Sequence, residues 1–154
     1  ICGAEREALA LTDRLCRQIG EVKRKVAARK AKPRVFYEVG DGLYTAGGKS
    51  FINDLISKAG GINVAAGIPR DYPVFSMEAL LACQPDIYLS NTDNNARSLE
   101  DLLQRPGFSR LKCLQEKRCY FINADLVSRP GPRVGQAVRE MAAIFHPDLW
   151  RSGE

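Results

Sequence analysis

The chain opens with a long amphipathic segment. From residue 4 to about residue 31, apolar side chains recur at steps of three and four, which predicts one long helix. The members of this stripe are Ala8, Leu11, Leu15, Ile19, Val22 and Val26. Glu5 and Glu7 precede the stripe and Pro33 follows it, as expected for helix ends. A stripe this narrow is typical of a rod laid across a surface rather than of a fully buried helix.

After Pro33 the pattern changes to short apolar runs that alternate with helical segments. Strands are predicted at 35–37, 87–89 and 119–122, with a short extended piece at 62–64. Helices are expected after the capping residues Ser50 and Ser76, at about 99–104 and 111–116, and from Pro132 to 145. This alternation predicts an α/β fold, a Rossmann-like parallel sheet flanked by helices. We divide it into a connecting helix, 1–32, and an α/β lobe, 33–150.

Composition and charge add limits to this picture. With 154 residues, 45% hydrophobic and 27% charged, the chain suits one globular domain. It starts without an initiator Met, so we expect a piece of a longer protein. The net charge of +5 is concentrated near the end of the first helix, at Lys23, Arg24, Lys25, Arg29, Lys30 and Lys32. These cations suit either a polyanion-binding patch or a solvated helix end. Because no aromatic residues interleave with them, nucleic-acid binding is not expected.

The sequence offers little support for a metal site or a catalytic centre. Its five cysteines contain no C-x-x-C pair, and His146 is the single histidine. His146 precedes a proline at a predicted helix end, which favours a surface or capping residue over a general base. No G-x-S-x-G motif is present. We therefore expect a protein that is not an enzyme.

The segment Gly47-Gly48-Lys49-Ser50 raises the alternative of a nucleotide-binding domain. It follows a predicted strand and precedes a predicted helix, which is the context of a phosphate-binding loop. However, the motif requires a glycine at position 43, where this chain has Leu43. The position matters because the backbone N–H groups of the loop must converge on one phosphate chain. A stand-alone Rossmann-like nucleotide-binding domain therefore remains the competing interpretation.

Two arginines flank the start of the last predicted helix. Arg129 and Arg133 oppose the helix macrodipole there, so an external anion or a nearby carboxylate such as Asp125 would relieve the conflict. The alternative is that both side chains point into water.

Seven sequence blocks, taken in order, resemble the substrate-binding proteins of ABC importers for cobalamin and ferric siderophores. They are KPRVFYEVG (32–40), YTAGGKSFINDLI (44–56), AGGINVAA (59–66), PVFSMEAL (73–80), QPDIYL (84–89), PGF (106–108) and RPGPR (129–133). The resemblance covers nearly the whole chain. It implies the carboxy-terminal lobe and interlobe helix of a two-lobed extracytoplasmic protein, either periplasmic or a lipoprotein on the outer face of the cytoplasmic membrane. The amino-terminal lobe would be missing.

The resemblance also implies ligand, partner and site residues. The cargo would be a metal chelate, preferably a corrinoid (vitamin B12), with a ferric siderophore or haem as the alternative, and no resident cofactor. Ligand contacts are carried over to Tyr44, Tyr72, Phe108, Asp125 and Arg129. Docking on the membrane permease is carried over to Glu78, which otherwise is a first-turn acid that suits the helix dipole.

Overall fold

A long helix precedes the lobe and packs on it with its second half. The computed structural model describes residues 5–127 and 130–150, and α1 spans Glu5–Ala27. Val22 and Val26 are buried, whereas Leu9 is 66% exposed. The helix ends four residues before its predicted limit. The N–H of Arg29 donates to the carbonyl of Val26, which closes a tighter final turn ahead of Pro33.

The centre of the lobe is a five-stranded sheet whose strands are mostly parallel. The strands are β1 (Arg34–Gly40), β2 (Tyr44–Thr45), β3 (Ile62–Asn63), β4 (Ile87–Asn91) and β5 (Cys119–Ile122). β4 lies between β1 and β5 in the parallel part. On the other side of β1, β3 pairs in parallel with its start and β2 pairs antiparallel with its end. Strand β2 lies between β1 and α2, where the sequence predicted neither a strand nor a helix.

Short helices cover both faces of the sheet. They are α2 (Phe51–Lys58), α3 (Met77–Cys83), α4 (Leu99–Gln104), α5 (Lys112–Gln115), α6 (Ala124–Val127) and α7 (Val134–Phe145), with 3-10 turns at Phe108–Arg110 and Pro147–Leu149. The predicted caps are confirmed, because Ser50 accepts the N–H of Asn53 and Ser76 accepts the N–H of Ala79. The predicted α/β fold with its long leading helix is likewise confirmed.

Side chains along β1 and β4 point alternately to the two faces of the sheet, which divides the core into two clusters. One cluster contains Val35, Tyr37, Ile87 and Leu89, packed with side chains from α1, α2 and α7. The aromatic core lies on the other face, where Tyr88 packs between Phe36 and Phe108 with ring centroids 5.4 and 5.9 Å away. Because β1 and β4 are buried on both faces, polar groups on these strands need partners within the protein.

His146 caps the carboxyl end of α7, which confirms one of its two sequence interpretations. The other, a surface position, is wrong because the side chain is buried. Its Nε2 lies 3.2 Å from the carbonyl oxygen of Gly60. A Cβ on Gly60 would come within 2.9 Å of that same nitrogen, so the histidine packs tightly against the turn after α2. The role of His146 is therefore to join two distant turns.

Candidate functional site

Two loop segments are joined side by side at the carboxyl end of the sheet. One follows β1 and contains β2, and the other leads from β3 to α3. Four backbone hydrogen bonds join them: Thr45 to Pro73 (2.9 Å), Phe75 to Leu43 (2.9 Å), Gly47 to Asp71 (2.8 Å) and Gly48 to Ile68 (2.9 Å). In parallel α/β sheets this edge is where ligands bind. We call the paired segments, residues 41–50 and 66–75, the double loop.

The glycines of the suspected phosphate loop serve the packing of the double loop. A Cβ on Gly47 or Gly48 would come within 2.1 Å of a carbonyl oxygen of the opposite segment. Both glycine N–H groups already donate to carbonyls of that segment. Ser50 caps α2 and Lys49 is exposed. Because these N–H groups are occupied, the loop does not offer the converging donors that a nucleotide phosphate requires.

The double loop presents exposed aromatic and apolar side chains. Tyr44 is 50% exposed, Tyr72 48% and Val74 59%. The backbones of Tyr44 and Val74 form an isolated antiparallel bridge, so the loop backbone that carries these side chains is fixed. Large aromatic side chains in the core, such as Tyr37, are fully buried by contrast. An exposed cluster of this kind on a rigid support is typical of a binding surface.

A buried carboxylate lies beneath the double loop at the end of β1. Glu38 is 0% exposed, and Arg105 binds it with both guanidinium nitrogens at 2.8 Å. The Tyr88 hydroxyl donates to Glu38 Oε2 at 2.7 Å, and the Leu43 N–H donates to Oε1 at 3.1 Å. Both carboxylate oxygens are therefore fully bonded, as a buried charge requires.

Burial and the ion pair with Glu38 together shift the pKa values of Tyr88 and Arg105. Burial raises the pKa of Tyr88, and the adjacent Glu38 carboxylate raises it further. Burial lowers the pKa of Arg105, but its hydrogen bonds and charge contact with Glu38 outweigh that effect and leave the pKa above its ordinary value. The guanidinium also lies 4.1 Å from the ring centroid of Phe108. Arg105 is therefore bound to the network as a permanent cation.

A second buried network holds the end of β4. The Tyr37 hydroxyl donates to Asn91 Oδ1, and Asn91 Nδ2 donates to the Val39 carbonyl at 2.6 Å. Asn94 Nδ2 donates to Ser90 Oγ at 2.9 Å. Burial raises the pKa of Tyr37, and a smaller charge effect of Tyr72 raises it further. The loops after β1 and β4 are therefore fixed by polar groups inside the protein.

Glu38, Arg105 and the two asparagines were not among the site residues predicted from the sequence. One signal was available, because Glu38 directly follows a predicted strand, 35–37, whose positions are all hydrophobic. A strand buried on both faces requires a cationic partner for such an acid. The sequence could not show that the partner is Arg105, which lies 67 positions further on.

Asp125 lies in an open cleft beside the end of β5. The cleft has a volume of about 430 Å³ and is lined by Asp93, Asp125, Arg133 and the Pro130–Pro132 segment among others. Asp125 is exposed in the first turn of α6, and its backbone N–H donates to Asn123 Oδ1 at 2.8 Å. Arg129, predicted to act with Asp125, lies outside the described residues. Arg133 is the second of the two arginines that flank the predicted start of the last helix, and it lines the cleft.

Phe108 does not fit its expected place at a ligand surface. It is 2% exposed and belongs to the aromatic core, between the Tyr88 ring and the Arg105 guanidinium. Gly107, in a left-handed conformation with φ +84°, turns the chain so that the following ring points inward. The structure therefore corrects this expectation: Phe108 supports Arg105 from within the protein.

Glu78 lies on the surface in the first turn of α3. It is exposed, and it takes part in no ion pair with another described residue. The helix starts from the capped Ser76 directly after the double loop. This position leaves the carboxylate accessible and next to the candidate ligand surface.

Two further properties concern the described part of the chain as a whole. Within residues 5–127 and 130–150, no three His, Cys, Asp or Glu side chains come together in a way that could hold a metal ion. Across the same residues, no helix has the length and apolar character needed to cross a membrane.

Comparisons with a family profile and with known proteins agree on one family. The sequence profile of a family described as periplasmic binding protein matches residues 1–126. The ABC transporter substrate-binding lipoprotein YvrC of Bacillus subtilis (strain 168) is 28% identical over 153 residues, covering 97% of this chain and 48% of that protein. A cobalamin-binding protein of Halobacterium salinarum (strain ATCC 29341 / DSM 671 / R1) is 31% identical over 121 residues, covering 75% of this chain and 32% of that protein. The chain thus spans about half or less of these relatives' length.

Solved structures agree on the fold. The periplasmic haem-binding protein RhuT from Roseiflexus sp. RS-1 superimposes with a TM-score of 0.83 at 23% sequence identity, covering 96% of this chain and 58% of that one. At this identity the similarity establishes the fold alone.

Proposed function

Because the chain belongs to the periplasmic binding protein family, we propose that it captures a bulky metal chelate and delivers it to the permease of an ABC importer. The family supports the general role of substrate binding. The finer proposal is that the cargo is a corrinoid such as vitamin B12. The observation that carries it is the pair of half-exposed tyrosines, Tyr44 and Tyr72, on the rigid double loop.

The chemistry of this surface suits a large, amphipathic ring system. Tyr44 and Tyr72 offer broad faces for an apolar ring and hydroxyl groups for its polar side arms. Asp125 can accept hydrogen bonds from side-chain amides of the ligand, and an arginine of the 129–133 segment can donate to amide carbonyls or a phosphate. Vitamin B12 carries such amides around its corrin ring and a phosphate in its nucleotide tail.

The charges at this edge argue against a catecholate siderophore. Such a chelate is strongly anionic and would favour several free, converging arginines. Here Arg105 is already paired with Glu38, while Asp93 and Asp125 line the cleft near β5. Each exposed carboxylate would repel a polyanion. A neutral or weakly charged chelate is therefore the better match.

The relatives support the corrinoid without excluding the alternative cargo. The Halobacterium relative is named for cobalamin, whereas RhuT is a haem-binding protein. A ferric siderophore or haem on the same fold is therefore the second candidate. In either case the metal is part of the cargo, and the protein would act as a carrier rather than as an enzyme.

The family also frames the location and the partner. Its members are periplasmic binding proteins, so the protein works outside the cytoplasm. We propose that Glu78 docks on the permease, because it is an exposed carboxylate beside the ligand surface and a charge of this kind guides a partner to a specific site.

We further propose that the described lobe forms one half of a ligand clamp. Residues 1–32 would provide the interlobe helix and 33–150 the carboxy-terminal lobe, with an amino-terminal lobe closing over the double loop. This fits a chain that matches about half of YvrC. If half of the contact surface is absent, the ligand loses part of its buried area while the entropic cost of association remains.

A titration panel tests the proposal. The chain and its full-length counterpart are each titrated by calorimetry with cyanocobalamin, a ferric catecholate, a ferric hydroxamate, haemin and Mg-ATP. We expect cyanocobalamin to bind the full-length protein tightly and this chain weakly. Tight binding of an iron chelate instead would overturn the corrinoid but keep the importer role. Equal affinities of chain and full-length protein would contradict the clamp, and tight Mg-ATP binding would favour the nucleotide-binding alternative.

A further inference from the structure

The turn that presents Tyr44 has an unfavourable backbone conformation. Between β1 and β2, Gly42 and Leu43 are both left-handed, with φ values of +82° and +64°. Glycine adopts this conformation freely, but a branched residue such as Leu43 does so only when its surroundings enforce it. The conformation of Leu43 directs the next residue, Tyr44, to the exposed surface.

Three contacts hold Leu43 in this conformation. Its side chain is buried in the aromatic core, and its carbonyl accepts the Phe75 N–H at 2.9 Å. Its own N–H donates to Glu38 Oε1 at 3.1 Å. The first two contacts leave the N–H unsatisfied, so the Glu38 carboxylate supplies the contact that closes the turn.

Arg105 keeps that acceptor in place. Its two nitrogens bind both oxygens of Glu38, which fixes the plane of the carboxylate. Tyr88 donates to the other oxygen, so Oε1 remains directed at Leu43. The carboxylate is therefore oriented by groups that lie below the double loop.

From this geometry we propose that Glu38, oriented by Arg105, is a positioning residue: it fixes the Tyr44 turn and thereby shapes the ligand surface without touching the ligand. This inference rests on the proposed function for its consequence in binding. Its structural part, the control of the turn, stands on the contacts alone.

Amide hydrogen exchange tests the control of the turn in the chain itself, without ligand. In Glu38→Gln one of the two acceptor oxygens becomes an NH₂ donor that faces an N–H of Arg105, so the two-point contact that holds the remaining oxygen towards the Leu43 N–H is lost. We expect protection of the Leu43 amide to fall about tenfold more than that of the β4 amides. The control is Val26→Ala, which removes buried volume at the far end of the lobe and should leave this ratio unchanged.

If Glu38→Gln does not fold, Arg105→Lys is measured in the same way, because it keeps the charge but loses the two-point contact. A Leu43 amide whose protection falls only in step with β4 in the measured variant would mean that the pair is merely structural, and would overturn the proposal.

A double-mutant cycle with cyanocobalamin tests the consequence for binding in the full-length protein. We expect Glu38→Gln to weaken binding about tenfold, to have little further effect in a Tyr44→Ala background, and to keep its effect in a Tyr72→Ala background. Full additivity with Tyr44→Ala would overturn positioning through Tyr44. If the wild-type protein does not bind cyanocobalamin at all, the proposed ligand fails, and the exchange experiment still decides the role of Glu38.

Discussion

The two ends of the sheet place their ion pairs in opposite environments. At the carboxyl end, Glu38, Asn91 and Asn94 are buried and every one of them is hydrogen-bonded. At the amino end, the ion pair between Arg29 and Asp148 lies on the surface. Burial of polar groups is unfavourable unless they are fully bonded, so the carboxyl end is built at greater cost in desolvation. That difference identifies the end at which the chain must hold its loops in one conformation.

The largest expected effect comes from breaking the buried ion pair. Arg105→Met should destabilise the fold by about 3–5 kcal/mol, because it leaves the Glu38 charge buried without a partner. Arg29→Met at the other end should cost less than about 1 kcal/mol, since water screens that pair. Urea unfolding of both variants measures the difference. Equal losses would show that the two ends do not differ in this respect.

A second prediction compares two side chains of equal exposure. Tyr72 on the double loop and Ile62 on β3 are each 48% exposed. Tyr72→Ala should weaken cyanocobalamin binding to the full-length protein by about 1–3 kcal/mol if its ring packs on the ligand. Ile62→Ala should leave the affinity unchanged, because β3 pairs with the start of β1, away from the proposed cleft. Calorimetry measures the affinity of both variants. If neither variant loses affinity, Tyr72 is not part of the site.

A third prediction uses pH to separate the buried tyrosines from the rest. Burial raises the pKa of Tyr37 and Tyr88 above the ordinary value of 10.0. Below that value both tyrosines are protonated in the folded and unfolded states. Above it the unfolded chain loses these protons first, so stability should fall by about 1.4 kcal/mol per pH unit for each group.

Urea unfolding on either side of the ordinary tyrosine pKa measures this slope. Tyr37→Phe removes one of the two groups and should make the slope shallower, whatever it does to stability at neutral pH. An unchanged slope in the variant would show that Tyr37 ionises as readily when folded as when unfolded.

The smallest change in stability is expected at Glu78. Glu78→Arg should cost only about 0.3–1 kcal/mol, the value of an acid near a helix N-terminus. It should leave cyanocobalamin affinity unchanged yet abolish uptake, because a reversed charge opposes docking on the permease. Glu100→Arg is the matched control, since Glu100 is also an exposed first-turn acid of a serine-capped helix. Normal uptake by Glu78→Arg would reduce Glu78 to a helix-terminal acid.

The elements and the fold class could be predicted from local patterns in the sequence. Helix α1, the capped starts of α2 and α3, and the strands β1, β4 and β5 follow from patterns that repeat within a few residues. Such patterns reflect local geometry, namely the periods of helix and strand and the capping of orphan N–H groups, which neighbouring residues specify. The ordered sequence blocks also identified the family, which the profile match confirms. The residues expected to contact ligand remain a prediction.

Which distant side chains come into contact depends on the three-dimensional fold. Glu38 and Arg105 are 67 positions apart, and His146 and Gly60 are 86 apart, so no local pattern relates them. The same applies to Phe108, which the sequence left at the cleft and the fold places in the core. Close packing around β1 allows each buried polar group one set of partners, and the crossover connections of the parallel sheet determine which partners come within reach.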